Sequence, residues 1–385
     1  MISVTPGKAV VALARAAMTR SSTAEVARKG AVTPGSTAEV ARKGAGTPGR
    51  TAGLTAGPAW VTTEGTASGG SAGDRARAIV DARRARAAVL GGSLAEHVQE
   101  PVALAVALRA ALEELADRAY RTGQQFVAPG IGRTHGVRSP LLRALGHGFM
   151  NATRRDSSSA LLLDAHELLG QPELEARWFA FGILGQTLPR ERERTWQLLR
   201  RAGREAGDWI TVDTLAHTVG RGVLDEPYRW AELEQLVYSP SRWERRLVGS
   251  TIATIPFVDR RAGREPEVAA RGLGLLGQLI GDAEPDVQKA LSWAYRSMAL
   301  VDLEATTSAL EDEAERAAMT ADGHRAWVIR DVLLKLDPAR AARLRGVLVG
   351  LRRRRDSPST STAAETAARF ADLGLGRALP EPPLT

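Results

Sequence analysis

The sequence contains no cysteine among its 385 residues, so disulfides, thiolate nucleophiles and Cys-ligated zinc or iron–sulfur centres are excluded. That absence fits a reducing cytosol, and a cytoplasmic location is expected. No apolar run approaches the roughly 18 residues that span a bilayer, and Arg15 interrupts the one apolar stretch near the N-terminus, which speaks against a secretory signal. No Walker loop is present, which removes a common nucleotidase reading. Gly272-Leu273-Gly274-Leu275-Leu276-Gly277 matches GxGxxG but lies in a helical stretch without the preceding strand that a dinucleotide loop needs. His166-Glu167 starts like HExxH, yet Gly170 stands where the second ligand belongs. The six histidines show no metal-ligand spacing, so neither metal nor cofactor is expected.

Acidic residues are slightly under-represented: 52 Lys+Arg against 44 Asp+Glu give a formal charge of +8. By segment the basic and acidic counts are 9 and 4 in residues 1–75, 37 and 36 in 76–351, and 6 and 4 in 352–385. The excess therefore sits at the ends, and any anion bound by the nearly neutral middle must meet a local patch.

Residues 1–75 are rich in Ala, Gly, Thr, Ser and Pro and carry a duplication, Ser22 to Gly35 (STAEVARKGAVTPG) followed by Ser36 to Gly49 (STAEVARKGAGTPG). With few large apolar side chains the segment cannot offset its ordering entropy, and disorder is expected. Residues 76–350 place apolar side chains at i, i+3, i+4 with no sustained alternation, which predicts an all-α domain. Prolines at Gln171-Pro172, Ser239-Pro240, Glu284-Pro285 and Asp337-Pro338 mark helix starts, because a first-turn N–H has no intrahelical partner to lose. The punctuation predicts about a dozen helices at near 40 to 45 residues per pair, a HEAT-like helical-repeat solenoid. Residues 351–385, opening with Arg352 to Arg355 and then rich in Ser, Thr and Pro, are expected to be a disordered tail with at most a short helix around Ala363 to Leu375.

The scarce aromatics, 5% of the chain, concentrate beside charges. Trp209 and Asp213 are four residues apart, so on a helix they share one face a turn apart. Trp243 and Arg246 are three apart, as are Trp293 and Arg296, while Lys289 precedes Trp293 by one turn. Arg325 and Arg330 flank Trp327. A lone Trp on a helix is ordinarily core packing. Recurrence in three successive helix pairs is what suggests convergence, since equivalent positions of a solenoid line one wall.

Trp209-x-x-Val212-Asp213, Trp243-x-x-Arg246 and Gln288-Lys289-Ala290-Leu291-x-Trp293-x-x-Arg296, with Gly136-Val137-Arg138-x-Pro140 ahead of them, resemble the AlkD-type DNA alkylation-repair glycosylases over roughly residues 80–340. The resemblance implies a curved stack of HEAT-like helix pairs whose concave face holds duplex DNA and which excises cationic 3-methyl- and 7-methylpurines. It makes Asp213 the catalytic carboxylate, Trp209 and Trp293 aromatic walls beside the lesion's deoxyribose, and Arg246 a phosphate contact. Trp243 and Lys289 match neighbouring positions. The first helices match poorly, so family residues there that contact the lesion have no counterpart that can be placed.

A purine alkylated at N3 or N7 is already cationic and leaves without a strong general acid; stabilising an oxocarbenium-like sugar and placing a water are tasks a carboxylate and aromatic faces perform. Phosphate contacts without base readout are expected from Arg245, Arg246, Arg296, Arg325, Arg330 and Lys289, with Glu311, Asp312, Glu313 and Glu315 on the convex side. A monomer acting on double-stranded DNA is expected. The competing class is a non-catalytic helical-repeat scaffold for DNA or protein, and a third reading is a regulatory protein docking through its Arg-rich ends. The repair reading predicts that both tails are dispensable.

Overall fold

The computed structural model describes residues 72–372 apart from residue 129. The duplicated 14-residue unit and the final Pro-rich residues lie outside the described residues. The chain falls into two compact units, Met1–Ala82 and Arg83–Thr385, and the second contains every site discussed below.

Sixteen α-helices follow one another among the described residues, with no named strand. They are α1 (Ala72–Ser93), α2 (Pro101–Leu115), α3 (Arg118–Val127), α4 (Ser139–Ala152), α5 (Ser158–Leu169), α6 (Leu174–Thr187), α7 (Arg192–Glu205) and α8 (Trp209–Asp225). Then come α9 (Arg229–Val237), α10 (Arg242–Val258), α11 (Pro266–Leu279), α12 (Pro285–Met298), α13 (Leu303–Thr320), α14 (Gly323–Val332), α15 (Pro338–Val347) and α16 (Thr362–Asp372). The all-α prediction holds, and no described helix is long and apolar enough to cross a membrane.

Local chemistry sets many of the starts. Asp117, Asp208, Asp302, Asp322 and Asp337 each accept first-turn N–H groups with their carboxylates. Pro285 and Pro338 occupy first-turn positions as expected. Pro172 and Pro240 instead stand two residues ahead of α6 and α10.

The helices form two layers. In one, α4, α6, α8, α10, α12 and α14 pack each against the next; in the other, α11, α13 and α15 follow in the same way, and consecutive helices pair across the layers. This repeated pairing is the helical-repeat stack the sequence predicts. Its early repeats are shorter than expected, with first-layer helices starting at 139, 174, 209, 242, 285 and 323. Tightest packing is between α10 and its neighbours α8 and α12, and residues 246–256 of α10 are all buried. Gly249 permits this approach: a Cβ there would stand 3.0 Å from that of Ala290 and 3.2 Å from the backbone nitrogen of Leu291. The Gly272 run lies inside α11, where a Cβ on Gly272 would stand 3.1 Å from Ile252 and Met298, so Gly272 serves helix packing.

The C-terminal segment departs from expectation as far as Ser361. Residues 351–361 run as an irregular strap over α12 and α14, and Ser361 and Ala363 are buried, while α16 stands where a short helix is expected. Buried side chains hold the strap's backbone, which a composition rich in Ser and Pro does not reveal.

Candidate functional site

Asp213 lies on the second turn of α8, which begins where Asp208 caps the N–H of Thr211. Within the layer, Arg246 on the second turn of α10 donates Nε to Oδ1 of Asp213 at 3.0 Å and Nη2 to Oδ2 at 2.8 Å. Ser250, one turn further along α10, donates to Oδ1 at 2.6 Å. The remaining guanidinium arm of Arg246 donates to the carbonyl of Asp286 at the start of α12. One side chain thus ties α8, α10 and α12 together, and the carboxylate is fixed in orientation with its side chain still 21% exposed. Bidentate geometry supplies direction that a lysine cannot.

Trp209 opens α8 one turn before Asp213, and the Arg246 guanidinium lies 5.9 Å from its ring centroid. Trp209 is half-buried against a small apolar cluster of Ala128, Ile131 and Leu174, next to Trp178 and Ile210. The expectation that Trp209 and Asp213 share a face is met. Their turn neighbour His217 was not anticipated; burial pushes its imidazole below the ordinary value, with the Asp213 charge opposing.

On α12, Lys289 is exposed and approaches Asp286 at 3.9 Å, and Trp293 is half-buried one turn on. Trp243, on α10, is half-buried beneath the Arg242 guanidinium at 4.8 Å.

The arginines expected to reach phosphates are largely engaged within the protein. Arg246, 4% exposed, serves Asp213 and not the outside. Arg245 pairs with Asp282 at 2.7 Å and donates to the carbonyls of Ser239 and Pro240. Arg296 pairs with Asp331 of α14. Arg330 caps the end of α15 through the carbonyls of Leu348 and Leu351. Arg325 is buried in a cluster with Glu313 and Asp322 and donates to the carbonyl of Thr360. Glu313 is accordingly inside the fold rather than on an outer acidic face, while Glu311 binds Arg340 and Arg343. Charge at helical spacing does not distinguish a solvated arginine from one with a long-range partner, so these internal pairings had no signal in the sequence.

The Gly136-Val137-Arg138-x-Pro140 segment proves to be a loop anchor. The Glu175 carboxylate of α6 accepts N–H bonds from His135, Gly136 and Val137 and the hydroxyl of Thr134. Gly136 adopts φ +79°, and a Cβ would meet the Asp117 carbonyl at 2.7 Å, so only glycine fits. Arg138 pairs with Asp117 and stacks on Tyr120 at 5.0 Å. The loop from Ala128 onwards is thereby held against Trp209.

Among the described residues no cluster of acidic, His or Cys side chains can hold a metal ion. No curated protein matches the sequence. The sequence model for the DNA alkylation repair enzyme matches residues 108–323, a span that includes the Gly136 loop, Trp209, Asp213, Arg246, Lys289 and Trp293. With more than half its length matched in this way, the chain belongs to the DNA alkylation repair enzyme family.

Proposed function

We propose that this protein is a DNA glycosylase that hydrolyses the N-glycosidic bond of cationic N3- and N7-alkylated purines in duplex DNA. Family membership carries the DNA-repair role. The oriented carboxylate supports the finer reading: Asp213 is held by Arg246 and Ser250, carries Trp209 one turn away, and remains partly open to solvent.

The chemistry follows from charge. As the C1′–N bond breaks, its electron pair neutralises the alkylated purine and positive charge passes to the sugar. Asp213 stabilises that charge and orients a water, which adds at C1′ and gives up a proton, leaving the free base and an abasic site. Aromatic faces of Trp209 and Trp293 contribute by cation–π attraction, about 0.5–2 kcal/mol depending on desolvation. Arg246 is a positioning residue: it fixes both carboxylate oxygens, and Ser250 adds a third donor. A neutral base leaves such a site far less readily, because its bond breaks without the built-in positive charge that the alkylated purine carries.

The test is product identity. Incubated with methylated duplex, the protein is expected to release free 7-methylguanine or 3-methyladenine, seen by mass spectrometry, with an abasic site in an otherwise intact strand. Base repair without release, or retention of the alkyl group on the DNA, contradicts the proposal.

A further inference from the structure

Beyond the proposed site, the described residues contain one concentrated run of cations, Arg352 to Arg355, and the fold holds it in place. Arg330 donates to the carbonyl of Leu351 at 2.7 Å, and Gly323 lies against the backbone of Arg352 and Arg353, where a Cβ would collide. Downstream, the ring of His324 meets the Ser357 carbonyl at 3.2 Å, Arg325 donates to the Thr360 carbonyl at 2.7 Å, and Thr360 donates its N–H to Gly281. Gln288, His324 and Arg325 are buried side chains whose polar atoms face the strap. Such buried polar partners fix one backbone path, since leaving them unpaired is costly.

The path sets the run beside the proposed site. The Arg353 guanidinium stacks 4.9 Å from the Trp327 centroid on α14 and donates to Gln288, the residue before Lys289 on α12, at 2.7 Å. The Arg296–Asp331 pair joins α12 to α14. Arg352, Arg354 and Arg355 are exposed, and among the described residues their side chains make no ion pair or hydrogen bond; Asp356 is the single acid in the turn. Four adjacent like charges on a pinned backbone repel one another until a polyanion neutralises them.

We propose that Arg352, Arg354 and Arg355 bind the phosphates of duplex DNA and, with Lys289, provide the electrostatic contact that the internally paired arginines of α10, α12 and α14 do not. This inference rests on the DNA reading above. The strap is then part of the nucleic-acid surface rather than a dispensable tail, and Arg353 is its clamp.

The experiment uses the full chain with Arg352, Arg354 and Arg355 all changed to Ser, against a second variant that removes the same charge from the other helix layer, Arg200→Ser, Arg271→Ser and Arg316→Ser. Binding to an undamaged duplex is measured across salt concentration, with thermal midpoints as a folding control. The strap variant is expected to bind about ten- to a hundredfold more weakly near 0.1 M salt, with the log–log salt slope shallower by about 2 to 3. The other variant is expected to keep the parental slope. Unchanged affinity and slope in the strap variant, or an equal loss in both, overturns the inference. An intact protein that binds no duplex overturns instead the reading on which it rests.

Discussion

Arg246 on α10 grips both oxygens of Asp213 on α8, and its third arm reaches the Asp286 carbonyl at the start of α12. The proposed catalytic carboxylate and the helix that carries Lys289 and Trp293 are therefore aligned by one side chain. Replacing Arg246 with Lys keeps the charge but loses the fork. Single-turnover base release is expected to fall by about ten- to a hundredfold, with duplex affinity changed much less. Ser250→Ala, which removes one donor of three, is expected to fall by less.

Arg325 gives the opposite result. It is buried with Glu313 and Asp322, so Arg325→Ala leaves two carboxylates without their partner and is expected to destabilise the fold by about 3–5 kcal/mol. Denaturant unfolding reads the loss. Because Arg325 also holds the Thr360 carbonyl of the strap, duplex binding, measured at a temperature where the variant stays folded, is expected to weaken as well.

Much of the fold was legible in periodicity. Apolar residues at helical spacing predict an all-α stack, and the Trp209–Asp213 and Trp293–Arg296 pairs each fall within one helix, α8 and α12. Partners across helices were not legible. Arg245 finds Asp282, Arg296 finds Asp331 and Arg325 finds Glu313 over separations that no local pattern encodes. The strap was missed for the same reason: Arg352 to Ser361 reads as a polar tail, and its order comes from His324, Arg325 and Arg330 far up the chain. Glu175, on α6 and away from every candidate site residue in sequence, could have been found only through the Gly136 turn that it anchors.

Asp164 sets a pH dependence of stability. It is fully buried, and burial pushes its carboxyl up from 3.8 to about 6, with the Gln99 N–H opposing and the Asp156 charge adding to the rise. The fold thus favours the protonated form, so stability from this group is full below about pH 4 and is lost as pH rises to about 6. Asp164→Asn is expected to raise the thermal midpoint by about 2–4 °C at pH 8 and by little at pH 4.5. A difference that does not grow with pH contradicts this origin.

Trp209 has two neighbours to satisfy, the apolar cluster of Ala128, Ile131 and Leu174 and the open face beside Asp213. Trp209→Phe is expected to retain most of the stability and to lower base release by about three- to tenfold, whereas Trp209→Ala is expected to lose about 3–5 kcal/mol of stability as well. Unfolding curves and single-turnover rates on the same samples separate the two effects.

The most direct test of the central claim is single-turnover release of 7-methylguanine and 3-methyladenine from methylated duplex by the intact protein, Asp213→Asn and Trp293→Ala. Asparagine keeps the shape of Asp213 and removes its charge, so release is expected to fall by at least a hundredfold while duplex binding persists; Trp293→Ala is expected to slow release by a smaller factor. Release by Asp213→Asn at the parental rate, or none above the spontaneous rate by the intact protein while it binds duplex, contradicts the account and leaves a non-catalytic DNA-binding helical stack.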